Sequence, residues 1–131
     1  MAYTSQFSGR EEIYVERYPG LGHRQQISTG GGRLPLWSRD GRELFFTSLD
    51  NRQLFAAAMH AGTTLVADRP QVLFELAMFS GLGTRHYDVT PDGRFVVIQK
   101  SATTEAGVHT APNVNLVLNW FAELKRLIPV N

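Results

Sequence analysis

Apolar positions along this chain come in short runs of strand length, each introduced by a turn signal. Leu44-Phe45-Phe46-Thr47 and Phe95-Val96-Val97-Ile98 are aromatic and β-branched, the composition of a strand packed on a pleated surface. Ser38-Arg39-Asp40-Gly41 precedes the first run and Thr90-Pro91-Asp92-Gly93 the second. In both turns the aspartate can accept bonds from backbone amides ahead of it, and the glycine takes positive φ without steric penalty. Residues 12–17 and 53–60 predict the next strand of each unit. Residues 24–28 and 71–75 predict an outer strand, where Gln and Arg suit an exposed edge. The period changes at the C-terminus, where Trp120, Leu124 and Leu127 recur at i, i+4 and i+7 beside Phe121 and Ile128. That spacing predicts an amphipathic helix over 119–128, capped by Asn119 and ended by Pro129.

The strand patterns repeat. The Asp40-Gly41 and Asp92-Gly93 pairs lie 52 positions apart, Ala2-Tyr3-Thr4-Ser5 echoes Phe45-Phe46-Thr47-Ser48 at 43, and Glu12-Ile13-Tyr14-Val15 echoes Gln53-Leu54-Phe55-Ala56 at 41. Units of about 40–50 residues holding several short strands have the period of propeller blades. The expected fold is therefore an all-β, partial β-propeller of about three blades, followed by one short C-terminal α-helix, all in a single domain spanning 1–131. Residues 1–29 predict a blade lacking its innermost strand, 33–76 a complete blade, and 85–119 a blade lacking its outermost strand. The offset of 43 carried back from Asp40 places the first Asp-Gly turn before Met1, so the chain is expected to begin inside a blade.

Composition narrows the function. The chain has 131 residues, 43% hydrophobic and 19% charged, which is globular rather than disordered. Thirteen Lys and Arg against twelve Asp and Glu give a net charge of +1, so no basic field recruits nucleic acid. With no cysteine, disulfides, thiolate metal sites and Cys nucleophiles are excluded. The longest apolar run, 54–59, is far below the roughly 20 residues that span a bilayer, so no membrane partner is expected. The N-terminus lacks a basic and apolar leader, which predicts a cytoplasmic protein if Met1 is the natural start.

Candidate chemistry is sparse. His23, His60, His86 and His109 form no ligand pair at metalloprotease spacing, so no metal and no cofactor is expected. No Gly-x-Ser-x-Gly elbow occurs. Gly30-Gly31-Gly32 is followed by Arg33-Leu34-Pro35 rather than Lys and Ser/Thr, and reads as a flexible connection between blades instead of a phosphate loop. Asp40 with Gly41 and Asp92 with Gly93 occupy equivalent turns, which assigns them to structure rather than to acid–base catalysis. The polar cluster Thr84-Arg85-His86-Tyr87-Asp88 opens a predicted innermost strand, and Arg33 opens the corresponding strand of the preceding unit. Innermost strands line a propeller's channel, so Arg33, Arg85, His86 and Asp88 are the binding candidates, for a small anion or a peptide terminus.

Trp37-Ser38-Arg39-Asp40-Gly41-Arg42 and Val89-Thr90-Pro91-Asp92-Gly93-Arg94 resemble the Trp-Ser-Pro-Asp-Gly core of TolB-type (WD-repeat-like) β-propeller repeats, with Arg39 where Pro is usual. The ending Asn115-Leu116-Val117-Leu118-Asn119-Trp120-Phe121-Ala122-Glu123-Leu124-Lys125 resembles the close of propeller domains that follow bacterial Ser/Thr protein kinase domains. No kinase motif is present, so phosphoryl transfer is not implied. The resemblance implies a non-catalytic module, not an enzyme, that binds a protein or peptide or acts as a sensor. Such propellers have six blades. Two chains of three units would close one ring, so a homodimer is the first expected partner state and a trimer the second. Two alternatives are a small hydrolase or lyase with its site in an inter-subunit channel, and a propeller fragment without an evolved ligand.

Overall fold

The computed structural model describes residues 1–19, 22–62, 65–75, 84–99 and the backbone of 113–117. All-β is the class observed: the described residues form eleven strands and no helix, and every strand pairing is antiparallel. The helix expected over 119–128 lies outside the described residues. The chain divides into two compact units, Met1–Leu76 and Ala77–Asn131.

In the first unit, β1 (Ala2–Ser5), β2 (Glu12–Val15) and β3 (Gln25–Gln26) form a sheet in sequence order. Ala2 lies opposite Val15 and Tyr3 opposite Tyr14. The outer strand is shorter than the predicted 24–28 because side chains take over the ladder. Ile27 N donates to the Ile13 carbonyl at 2.8 Å, but Ile13 N then donates to the Ser28 hydroxyl, also at 2.8 Å.

The second sheet runs β4 (Arg33–Trp37), β5 (Glu43–Thr47), β6 (Gln53–Ala61). The far side of β6 carries two short strands in succession, β7 (Leu65–Ala67) near its end and β8 (Gln71–Glu75) near its start. They are one outer strand interrupted at 68–70. Pro70 has no amide hydrogen to donate, so the ladder stops there, and Asp68 N instead reaches the Ala58 carbonyl at 2.9 Å. The pattern reading anticipated β8 and missed β7.

Alternation along the strands builds the core. Ile13 and Val15 of β2, with Ile27, face Leu44 and Phe46 of β5 and Ala57 and Met59 of β6; Trp37, Phe55 and Ala67 pack around them. Phe46 stacks on Phe55 with ring centroids 5.1 Å apart. The other face of β5 is buried as well, at Phe45 and Thr47. In the second unit β9 (Tyr87–Val89), β10 (Phe95–Gln99) and β11 (Asn113–Val117) again pair in sequence order, and Tyr87, Phe95 and Val97 are buried.

Candidate functional site

The turns come first, because they set the ends of the strands that carry the candidates. Between β4 and β5, the Ser38 hydroxyl donates to Asp40 Oδ1 at 2.7 Å, Arg42 N donates to the same oxygen at 3.1 Å, and Glu43 N donates back to Ser38 Oγ at 2.9 Å. Between β9 and β10, Thr90 Oγ1 donates to Asp92 Oδ1 and accepts from Arg94 N at 3.0 Å. Gly41 and Gly93 take φ of 70° and 77° in these turns. The same network recurs between β5 and β6 in Ser48-Leu49-Asp50-Asn51-Arg52. There Arg52 N donates to Asp50 Oδ1 at 3.1 Å, and Asn51 occupies the left-handed position at φ 55°. This third copy was readable in the spacing Ser-x-Asp-x-Arg, but Asn51 in place of glycine hid it. The neighbouring hydroxyl and then the following backbone amide hold the Asp40 and Asp50 carboxyls below the ordinary range, and the Thr90 hydroxyl does so for Asp92. All three carboxylates are committed to their turns.

Arg33 opens β4. Its guanidinium pairs with the Glu11 carboxylate, and its carbonyl accepts from the Thr47 hydroxyl at 3.3 Å. The next residue, Leu34, has φ 58°, a region that leucine seldom occupies, and the β4–β5 register shifts between Arg33 and Leu36. Such a bulge turns the side chain ahead of it away from the direction a regular strand would impose.

Arg85, His86 and Asp88 belong to the second unit. Arg85 Nε donates to the Tyr87 carbonyl at 3.2 Å, and the Asp88 carboxylate, which is exposed, accepts from Val89 N at 2.9 Å. His86 is buried, with Nε2 3.5 Å from Thr84 Oγ1, and its carbonyl accepts from Ile98 N. Tyr87 is buried beside it, and desolvation pushes its phenol above the ordinary range. Of the sequence-derived candidates, Arg85 and Asp88 present side chains to solvent, Arg33 does so in part, and His86 sits behind the surface.

The sequence reading did not find Glu12. Its side chain is fully buried. The Ser28 hydroxyl donates to it, Gly31 N lies 3.0 Å from both carboxylate oxygens, and Arg10 Nε pairs with it at 2.7 Å. A buried carboxylate persists only when it is bonded this fully. Its signal was a single acidic residue leading an otherwise apolar strand. The glycine run is consequently no flexible connection. Gly31 has φ 91°, and a Cβ there would stand 2.6 Å from the Leu49 side chain; one at Gly32 would stand 2.8 Å from Ile13 Cγ1. The run is a latch closed on Glu12.

Among the described residues no group of three or more His, Cys, Asp or Glu could hold a metal ion, and no helix is long and apolar enough to cross a membrane. Comparisons of the chain with family models, with curated proteins and with solved structures each returned no match.

Proposed function

We propose that this chain is a partial β-propeller of the TolB type, three blades long, that serves as a non-catalytic module for binding a protein or peptide and is completed by a second copy of itself. The observation that carries the reading is the sheet order. β1-β2-β3, β4-β5-β6-β8 and β9-β10-β11 are antiparallel meanders in sequence order, with β6 beginning 41 positions after β2 and β10 beginning 52 after β5. The shared Ser/Thr-x-Asp turns and the face-to-face packing of the first two sheets support it further. In this reading β4 and β9 are innermost strands, and Arg33, Arg85 and Asp88 offer charged groups of both signs at the channel. His86 positions the start of β9 from beneath. In this reading an open arc of three blades would leave two apolar sheet faces in water, which favours association.

Light scattering coupled to size-exclusion chromatography tests the reading. A species of twice 14.7 kDa that persists on dilution is the expected result. A monomer at every concentration overturns completion by a second copy.

A further inference from the structure

The first two sheets carry the same aromatic pair at the same place in the repeat. Tyr3 of β1 lies opposite Tyr14 of β2, as Phe46 of β5 lies opposite Phe55 of β6. The offsets of 43 and 41 residues that relate the two units carry one pair onto the other. Both pairs are stacked, with ring centroids 6.0 and 5.1 Å apart. The phenylalanine pair packs in the core with Ile13, Val15 and Ile27, which the first sheet presents to the second. The tyrosines alternate with these residues along β1 and β2, so they stand on the opposite face of the first sheet. By the repeat, that is the face on which another sheet would sit.

Two side chains of the same sheet region lie over that face. The Arg24 guanidinium carbon is 4.0 Å from the centre of the Phe7 ring and 5.7 Å from that of Tyr14, and Tyr14 is buried. Phe7 itself is 72% exposed. Among the described residues no carboxylate pairs with Arg24. Glu12 is held by Arg10 and Ser28, and Glu16 accepts from the Tyr3 hydroxyl at 3.2 Å and from Gly22 N at 3.3 Å. Gly20 and Leu21, which lie outside the described residues, carry no charge. An exposed aromatic ring beside a guanidinium that is held by stacking, yet has no counter-ion, is the composition found at the centre of protein interfaces. We propose that a second copy of this chain docks on this face, laying a sheet over Tyr3, Tyr14 and Phe7 as the first sheet lies over Phe46 and Phe55, and setting a carboxylate against Arg24. The proposal rests on completion of the propeller by a second copy, and names a surface through which it occurs.

Light scattering with size-exclusion chromatography, run over a dilution series, reads the effect of Phe7→Ser and Arg24→Glu in the full chain. Wild type should run at twice 14.7 kDa, and each substitution should weaken the dimer by about thirtyfold or more, the scale of a residue at the centre of an interface. Phe7→Ser changes a ring that is mostly in solvent, so it keeps the test decisive if Arg24→Glu, which uncovers Tyr14, does not fold. Val66→Ser and Val72→Ser, exposed on the outer strands β7 and β8, should leave the mass unchanged. A wild-type dimer that neither Phe7→Ser nor Arg24→Glu weakens overturns this docking face while completion by a second copy stands. Loss of the dimer in Val66→Ser or Val72→Ser, with Phe7→Ser still dimeric, overturns it in favour of pairing between outer strands. A wild-type monomer at every concentration removes completion itself, and this face with it.

Discussion

Replacing Ser28 by Ala removes a single oxygen, yet two buried groups depend on it. The hydroxyl donates to the Glu12 carboxylate and accepts from Ile13 N at 2.8 Å. A hydrogen bond to a charged group contributes about 1.5–3 kcal/mol, and a buried amide left without an acceptor costs about 1–3 kcal/mol. The two effects share one site and do not add fully, so Ser28→Ala should destabilise the fold by about 2–4 kcal/mol. Urea unfolding followed by circular dichroism measures this, at one protein concentration because association would add its own stabilisation. The midpoint should fall with the slope unchanged, and the melting temperature should drop by on the order of 10 °C. Glu12→Gln and the double variant complete a cycle whose coupling energy should be about 1–3 kcal/mol. A loss below about 1 kcal/mol, or coupling near zero, would refute the argument that this pair latches the glycine run.

Gly31→Ala places a Cβ against Leu49 at φ 91° and should destabilise by about 1–3 kcal/mol, measured by the same urea titration; a neutral result would show that the loop can retreat without releasing Glu12. Phe46→Ala empties the centre of the core and should cost about 3–5 kcal/mol, with thermal unfolding as the readout and a loss under about 1 kcal/mol counting against the packing described. Asp40, Asp50 and Asp92 have folded-state values below the ordinary 3.8. Their contribution is therefore full above that value and is lost as the pH falls through the lower folded-state values, so the urea midpoint should decline below about pH 4. Glu43 acts in the opposite sense. Burial, and then the nearby Asp40 charge, raises its carboxyl above 4.5, so what it contributes is present in acid and disappears as the pH rises through that raised value. Asp-to-Asn variants of the three turns should flatten the acid limb of a pH series, and an unchanged limb would contradict the assignment.

Much of the fold was legible because its determinants are local. A Ser or Thr two residues before Asp settles a turn within five positions, and short aromatic or β-branched runs between such turns leave little but antiparallel strands to form. Hence the spans 12–17, 53–60 and 71–75 predict strands close to β2, β6 and β8, and the repeat offsets anticipate where one sheet gives way to the next. The turn at 48–52 escaped only because asparagine can stand where glycine is expected. Other features needed the folded chain. Glu12 is an ordinary acidic residue until Ser28 and Gly31, remote in sequence, close over it, and burial is a property of that closure rather than of the residue. The bulge that carries Leu34 into φ 58° and re-aims Arg33 arises from the register of β4 against β5. Local chemistry thus determined the strands and their turns. Contacts between residues far apart along the chain decided which polar groups would be buried and which would be satisfied.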